Sequence, residues 1–299
     1  MAARAASEPN LRPLLVRRFV AVFASAPARG IEAAASPALA FDRVSVRYPG
    51  SDRDALVGAT LTVPPGGKAV VVGPNGSGKS TLLRAALGLC PVSEGVVRVL
   101  GRDVRTVRGE TGVGTNLEEV YALMTVRVDG LVSLWARLQG RPDTEVRQWI
   151  DSFGLRTILA RPLFRLSTGQ KKLVGDLLAL GFSPRLLLLD EPFDNVDFGR
   201  RRKLIDLLAR SEAAVVMNTH EVDLLPSFPD WDLYFMWDGQ LIGRFAVGEL
   251  DRLYVSRGVR PGALATFRSS IGEISVTRDR GEVPMKGASN LDYLLDRIA

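Results

Sequence analysis

The sequence predicts an α/β fold with a core sheet, an antiparallel β subdomain and a helical insertion. A glycine-rich loop, Gly73–Ser80, directly follows the valine-rich run Lys68–Val72, which is typical of a buried strand. A second apolar run, Leu186–Leu189, is also short enough to be a buried strand. Between the two, residues 117–182 are dominated by helical periodicity, which predicts an insertion within the sheet-forming sequence.

The composition suits a soluble globular protein. The chain has 299 residues, of which 46% are hydrophobic and 24% charged, with a net charge of +6. The single cysteine, Cys90, excludes a disulfide framework, and the single histidine, His220, excludes a multi-histidine metal site. The apolar run Leu177–Leu189 is interrupted by Gly181 and Pro184, so no helix is expected to span a bilayer.

The N-terminal residues 1–38 are rich in Ala, Arg, Pro and Ser without a period, which predicts a disordered tail. An alternative is a secretory signal, because Arg17 and Arg18 precede the apolar run Phe19–Ala26. That run is short and begins late, so the tail is the preferred interpretation. The folded domain is expected over residues 39–250.

The first part of this domain has the pattern of a small antiparallel sheet. Apolar and polar residues alternate over Phe41–Tyr48, and shorter strands are expected at Ala59–Val63 and Gly95–Leu100. Turn-forming residues, Pro49-Gly50 and Pro64–Gly67, follow the first two strands. The spacing places this sheet against the core.

The insertion contains helices at Val126–Leu138 and Thr144–Phe153, separated by the breaker Gly140–Pro142. Leu166–Leu180 is expected to form a further helix. The first two segments combine helical periodicity with exposed charges, which indicates a helical insertion.

The C-terminal part returns to strands. A strand is expected at Ala213–Met217, and Asp232–Trp237 with Leu241–Phe245 forms a hairpin over an Asp-Gly turn. Residues 251–299 are an extension with weak periodicity, in which a short helix is expected at Leu291–Ile298. No role is assigned to this extension.

The loop Gly73–Ser80 matches the Gly-x4-Gly-Lys-Ser pattern of a phosphate-binding loop, and we call it the phosphate loop. Its glycines let backbone N–H groups surround an anion, and the following helix, Ser80–Leu89, adds its positive N-terminus. Lys79 is expected to reach the β- and γ-phosphates of ATP, and the Ser80 hydroxyl to bind Mg²⁺. The candidate ATP-binding residues here are Gly73, Pro74, Asn75, Gly76, Ser77, Gly78, Lys79, Ser80 and Thr81.

Two acids follow the leucine strand. Asp190 ends the strand Leu186–Leu189, and ligands of open α/β sheets lie at the carboxyl ends of strands. Asp190 is therefore expected to hold Mg²⁺ through water, together with Ser80. Glu191 points to the opposite side and is a candidate base for a water in line with the γ-phosphate.

A third motif, Leu166–Gln170, precedes a predicted helix. Ser167 is a suitable helix cap, and Gly169 leaves the backbone open to an anion. Alone this motif would indicate only the start of a helix. Its position between the phosphate loop and the acidic strand makes the order of the three motifs a more specific signal.

These motifs, in this order, resemble the ATP-binding cassette (ABC) ATPases, the nucleotide-binding subunits of ABC transporters, over about residues 40–250. The phosphate loop resembles the Walker A motif. Leu186–Glu191 resembles Walker B with its catalytic glutamate. Leu166–Gln170 resembles the family signature, with Thr168 where glycine is more usual.

The resemblance assigns roles to three further places. Asp194–Asp197 is similar to the D-loop of the family. His220 lies where the family has a histidine that contacts the γ-phosphate. Tyr48 occupies the position of the aromatic residue that stacks on adenine.

One element departs from the pattern. The family normally has a glutamine before the helical insertion that contacts Mg²⁺ and the attacking water. Here Asn116, one methylene shorter, is the best match, and Glu118 or Glu119 are alternatives.

The resemblance implies a head-to-tail homodimer or heterodimer of ABC ATPase subunits. Each ATP would lie between Gly73–Ser80 of one subunit and Ser167–Gln170 of the other, with Ser167, Gly169 and Gln170 contacting the nucleotide. Lys79 and Mg²⁺ would neutralise developing charge, Glu191 would activate water and His220 would hold the γ-phosphate. The insertion would pass the motion to a separate membrane permease, with this chain in the cytoplasm at the inner face of the membrane.

A second hypothesis is a soluble ABC-type ATPase of nucleic-acid metabolism or translation. DNA-repair members carry a long coiled coil between Walker A and the signature, whereas here the interval is short and lacks heptads. Translation-type members carry two cassettes, and this sequence has one signature. Its arginines are scattered, so no direct nucleic-acid contact is expected and the transporter hypothesis is favoured.

Overall fold

The central sheet is the element that positions the phosphate loop. The computed structural model describes residues 36–106, 112–269, 272–288 and 290–298, so most of the predicted tail, residues 1–38, lies outside the described residues. The described residues form strands in three sheets. These strands are β1 Leu39–Val46, β2 Leu56–Val63, β3 Lys68–Val72, β4 Val92–Val99, β5 Arg102–Asp103, β6 Val113–Thr115, β7 Leu186–Asp190, β8 Ala214–Thr219, β9 Asp232–Trp237, β10 Gln240–Ala246, β11 Leu253–Arg257, β12 Ala265–Ser269, β13 Gly272–Arg278 and β14 Val283–Pro284.

The helices lie mostly in the insertion and on the faces of this sheet. They are α1 Lys79–Ala86, α2 Glu118–Tyr121, α3 Val128–Gln139, α4 Thr144–Ser152, α5 Thr168–Leu180, α6 Phe198–Arg210 and α7 Leu291–Ile298. Short 3₁₀ turns occur at Arg156–Ile158, Leu163–Arg165, Leu225–Ser227 and Val247–Arg252. Within the described residues, no helix has the length and apolar character needed to cross a bilayer.

The central sheet has the strand order β10-β9-β3-β8-β7-β6. All of its pairs are parallel except β9 with β10. Strands β3 and β7 are almost wholly buried, because helices and the second sheet cover both faces of a parallel sheet. Their carboxyl ends lie at one edge, so Gly73 after β3, Glu191 after β7 and His220 after β8 meet there.

The second sheet is antiparallel, with the order β2-β1-β4-β5. It packs on α1 and on the near face of the central sheet through one apolar cluster that includes Phe41, Leu61, Leu82 and Val216. The structure therefore confirms the predicted fold class, an α/β nucleotide-binding core with an antiparallel β subdomain and a helical insertion.

The extension after residue 250 forms a third sheet, which the sequence did not predict. Its strand order is β12-β13-β11-β14, and α7 packs beside it at the predicted position. Trp237 of β9 contacts Phe267 of β12, with ring centroids 5.9 Å apart. Gln240 Nε2 also donates to the Arg268 carbonyl at 3.0 Å, so the extension is attached to the β9–β10 hairpin.

Candidate active site

Close packing requires glycine at two positions of the phosphate loop. A Cβ on Gly73 would lie 2.4 Å from the Met236 carbonyl, and one on Gly78 would lie 2.4 Å from the Ala55 carbonyl. Gly78 also has φ +109°, a conformation that residues with side chains rarely adopt. A Cβ on Gly76 would meet no atom within 4 Å, so this part of the loop faces open space.

Lys79 is the positive group of the loop, and its side chain is only 6% exposed. Its Nζ donates to the carbonyl oxygens of Gly73 at 2.7 Å and Pro74 at 3.0 Å. The buried Ser77 hydroxyl has no hydrogen-bond partner among the described residues. A buried ammonium group beside an unpartnered hydroxyl and a helix N-terminus suits a phosphate group.

Ser80 and Asp190 meet directly, as the two motifs predict. The Ser80 hydroxyl donates to Asp190 Oδ1 at 2.9 Å and Oδ2 at 3.1 Å. Asn218 Nδ2, from the adjacent position of β8, donates to Asp190 Oδ1 at 2.7 Å. A hydroxyl and a carboxylate are hard oxygen donors, so this pair fits a Mg²⁺ ion.

Glu191 lies between the cation of the loop and the single histidine. Its Oε1 is 3.4 Å from Lys79 Nζ, while its Oε2 accepts from the His220 backbone N–H at 3.1 Å. Oε2 also lies 3.0 Å from His220 Nδ1. Glu191 has φ +46°, and its N–H donates to Asn218 Oδ1 at 2.8 Å, which holds this left-handed turn.

Asn218 was not identified from the sequence. It bonds to the Asp190 carboxylate and to the Glu191 N–H, so one amide orients both acids. The available signal was its place at the end of the predicted strand Ala213–Met217, beside the acids in the sheet.

Tyr48 lies just beyond β1 and next to the first helix. Its hydroxyl is 3.3 Å from Thr81 Oγ1, so the ring is close to the residue that follows the phosphate loop. The side chain is half-buried. Tyr48 and Thr81 therefore lie next to each other at the start of α1.

The signature motif starts α5 with a capping box. Ser167 Oγ accepts from the Gln170 N–H at 3.3 Å, and the Ser167 N–H donates to Gln170 Oε1 at 3.1 Å. A Cβ on Gly169 would lie 2.0 Å from the Asn195 carbonyl, so the motif packs tightly on the D-loop segment. Ser167 and Thr168 are exposed, and their contacts in the described residues do not include the phosphate loop.

Asn116 lies elsewhere than expected, and the structure corrects its assignment as a metal contact. Its side chain is fully buried. Its Oδ1 accepts from the Asp190 N–H at 2.7 Å, and its Nδ2 donates to Asp176 Oδ1 at 2.6 Å. Both ends of the amide are thus occupied by protein groups, because the shorter side chain stays in the core. Glu119 pairs with Arg84 at 2.6 Å, and Glu118 is exposed.

Asp176 is a buried acid that sequence inspection did not single out. It lies in α5 with 0% exposure, and burial raises its pKa to about 7 although Lys172 and the Asn116 hydrogen bond act in the opposite direction. Its Oδ2 has no hydrogen-bond partner among the described residues. An acid in the apolar stripe of a predicted helix was the available signal.

The comparisons with known proteins point in one direction. A family model described as ABC transporter matches residues 56–194. A protein described as an ABC transporter ATP-binding protein, from Nostoc sp. (strain PCC 7120), is 33% identical over 222 residues, which cover 68% of this chain and 79% of that protein. The taurine import ATP-binding protein TauB of Chromobacterium violaceum is 37% identical over 194 residues, or 62% of this chain and 74% of TauB.

A solved structure shows the same arrangement. The crystal structure described as that of a cobalt transport ATP-binding protein, cbiO-2, superimposes with a TM-score of 0.78 at 32% identity. The match covers 87% of this chain and 100% of that chain.

Proposed function

Because the chain belongs to the ATP-binding subunits of ABC transporters, and is therefore an ATPase that energises transport, we propose that the edge of its central sheet is the hydrolytic site. One observation carries this proposal. Three contacts bring together residues from three separate segments of the chain. They are Ser80 with Asp190 at 2.9 Å, His220 with Glu191 at 3.0 Å and Lys79 with Glu191 at 3.4 Å.

The phosphate loop and Lys79 bind the phosphates of ATP in this proposal. The loop N–H groups and the Lys79 ammonium face the β- and γ-phosphate oxygens. These oxygens replace the Gly73 and Pro74 carbonyls as acceptors for Lys79 Nζ. Ser80 and Asp190 would hold Mg²⁺, and the ion would supply positive charge beside the same phosphates. Tyr48, next to Thr81, stacks on the adenine.

Glu191 acts as the general base. It accepts the proton of a water in line with the γ-phosphate, while its Oε1 lies 3.4 Å from the Lys79 ammonium. His220 Nδ1 is engaged by Glu191, which leaves Nε2 for the γ-phosphate. Asn218 fixes the two acids relative to each other, so the base does not have to reorganise during the reaction.

A second ABC ATPase subunit, identical or different, completes the site. The exposed Ser167 and Thr168 of one subunit cover the ATP held by the other, with the N–H groups of α5 directed at its phosphates. The capping box supports this role because it fixes the start of the helix before any nucleotide binds.

A membrane permease is the remaining partner, and the chain works at the cytoplasmic face of the membrane as a peripheral subunit. TauB, which is 37% identical, is named as an import ATP-binding protein. The helical insertion, α2 to α5, is the part that contacts the permease. Its helix α5 packs on β6 of the central sheet, which connects the insertion to the core.

Replacement of Lys79 by alanine tests the site. Charged hydrogen bonds contribute about 1.5–3 kcal/mol each, so Lys79→Ala is expected to weaken binding of a fluorescent ATP analogue by at least about tenfold. Lys286→Ala, which removes an exposed ion pair with Asp251, is the matched control and should bind as the unmodified chain does. Equal affinity of the two variants would contradict the proposal.

A further inference from the structure

The main chain of Asp190 is held on both sides, by Asn116 just before the helical insertion and by Lys172 within it. Asn116 Oδ1 accepts from the Asp190 N–H at 2.7 Å. Lys172 Nζ, from the second turn of α5, donates to the Asp190 carbonyl at 2.6 Å, and Asn116 Nδ2 donates to the same oxygen at 3.2 Å. The residue whose carboxylate bonds Ser80 is thus fixed by its backbone as well.

Asn116 is itself oriented by α5. Its Nδ2 donates to Asp176 Oδ1 at 2.6 Å, and this bond determines which end of the amide faces the Asp190 N–H. Asp176 and Asn116 are both 0% exposed. The contacts therefore run without a gap from α5 through Asn116 to Asp190, and from the Asp190 carboxylate to Ser80.

Burial of this pair is costly for stability. A buried carboxylate with one oxygen unpartnered is less favourable than an apolar side chain of the same shape, and apolar replacements of buried polar pairs are often neutral or stabilising. Packing alone thus gives no reason for Asp176 at this position, whereas Asn116 satisfies the main-chain groups of Asp190. Their geometric effect is on Asp190.

We propose that Asn116, Asp176 and Lys172 are positioning residues that join the signature helix α5 to the metal-binding carboxylate of Asp190. Since α5 begins at the exposed motif Ser167–Gln170, any displacement of that motif on contact with a second subunit is transmitted to Asp190. The inference rests on the proposed role of Ser80 and Asp190 as Mg²⁺ ligands.

A double substitution tests this coupling. Asn116→Leu with Asp176→Leu replaces both partners of their mutual hydrogen bond by apolar groups of similar shape. It also leaves the Asp190 N–H without its acceptor, so folding of the variant is verified by circular dichroism before the assay. Loss of groups that orient a metal ligand typically weakens metal affinity 10- to 100-fold, so the Mg²⁺ concentration for half-maximal ATP hydrolysis should rise at least about tenfold. The Mg²⁺ concentration that enhances binding of a fluorescent ATP analogue should rise equally, whereas binding in EDTA should not change.

Two variants control for packing and for charge. Tyr121→Phe removes a part-buried hydrogen bond of 2.9 Å to the Lys171 carbonyl of α5, which has no link to Asp190. It should leave the Mg²⁺ requirement unchanged. Asp176→Asn keeps an acceptor for Asn116 and should also leave it unchanged. A shift in either variant as large as that of the double variant overturns the proposal.

Two further arms make each outcome decisive. Lys172→Met removes the Lys172 hydrogen bond to the Asp190 carbonyl, together with a positive charge near Asp176. It should shift the Mg²⁺ requirement in the same direction, so it decides the matter if the double variant does not fold. Ser80→Ala tests the metal site itself. If Ser80→Ala raises the Mg²⁺ requirement and the folded positioning variants do not, this inference fails alone. If Ser80→Ala has no effect, the proposed metal site fails and the inference with it.

Discussion

Replacement of Glu191 by glutamine separates ATP hydrolysis from ATP binding. The change keeps the size of the side chain, and the new amide oxygen can still accept from the His220 N–H, now 3.1 Å from Oε2. It removes the carboxylate that would take a proton from water. Loss of a positioned base lowers a rate by at least about 10²-fold, which corresponds to about 2.7 kcal/mol in the activation free energy.

Nucleotide binding should persist in Glu191→Gln. Lys79 loses a carboxylate 3.4 Å from its ammonium, so Nζ becomes freer to bind phosphate, and Ser80 with Asp190 is unchanged. The assay measures phosphate release, affinity for a fluorescent ATP analogue, and size by gel filtration in Mg-ATP and in ADP. We expect a dimer in Mg-ATP, because the step that separates the subunits is blocked, and a monomer in ADP.

The control variants sharpen the result. Glu221→Gln alters the neighbour of His220 and removes the charge of a partly buried pair with Arg201 at 2.8 Å, but it keeps an acceptor for that arginine. Glu221 makes no contact with Glu191 among the described hydrogen bonds, so hydrolysis should stay within about twofold. Ser167→Arg in the Glu191→Gln background should abolish the dimer, because it places a bulky cation at the exposed helix start. Normal hydrolysis by Glu191→Gln would show that the base lies elsewhere. An inactive variant that stays monomeric in Mg-ATP, alone and with its permease, would refute the head-to-tail arrangement.

Two further predictions concern the edge of the site and the buried acid. Tyr48→Ala should weaken ATP binding by about 1–3 kcal/mol, which is the range for base stacking. Tyr48→Phe keeps the aromatic ring and should bind ATP normally. Equal ATP affinity of the two variants would show that Tyr48 does not contact the adenine. The pKa of Asp176 rises on folding from its ordinary value of 3.8 to about 7, so its stabilising contribution is complete below pH 4 and is lost as the pH rises to 7. The free energy of unfolding of the unmodified chain relative to Asp176→Asn should therefore fall by up to about 1.4 kcal/mol per pH unit across this window and level off above it. A pH-independent difference in urea titrations would contradict the raised pKa of Asp176.

The sequence was most informative where one force dominates. Lys68–Val72 and Asp232–Trp237 coincide with β3 and β9, because buried strands must be apolar along their whole length. The short helix Leu291–Ile298 was also located at its observed ends, since its leucines are spaced along one helical face although the extension as a whole has weak periodicity. Other strand and helix ends shifted by a few residues, as with β2, which begins at Leu56 rather than Ala59.

The missed elements depend on contacts distant in sequence. Strand β6 has three residues and contains Gly114, where a Cβ would lie 2.1 Å from the Ala179 carbonyl of α5. Helix α6 begins with Phe198-Gly199 and a run of basic residues, which conceals its apolar stripe. The third sheet depends on pairing between β11 and β13, which no local pattern specifies.

Asn116 illustrates the same limit within the site. Its position along the chain was correctly noticed, but its direction depends on Asp176, sixty residues later. A shorter amide beside an acid in the core turns inward, whereas the motif alone suggested a side chain that reaches the metal. Side-chain direction is set by the partner, and the partner lies on another element.

The β9–β10 hairpin has a practical consequence for shortening or exchanging the C-terminal part of the chain. Its tip supports the phosphate loop, since the Gly239 N–H donates to the Ser77 carbonyl at 2.9 Å. One residue further on, Gln240 bonds to the third sheet, and Trp237 is covered by Phe267. A truncation after residue 250 would expose the Trp237 indole close to the phosphate loop. A minimal catalytic fragment therefore needs a polar replacement at Trp237. A chimaera with a foreign C-terminal part must supply an aromatic ring that covers this position.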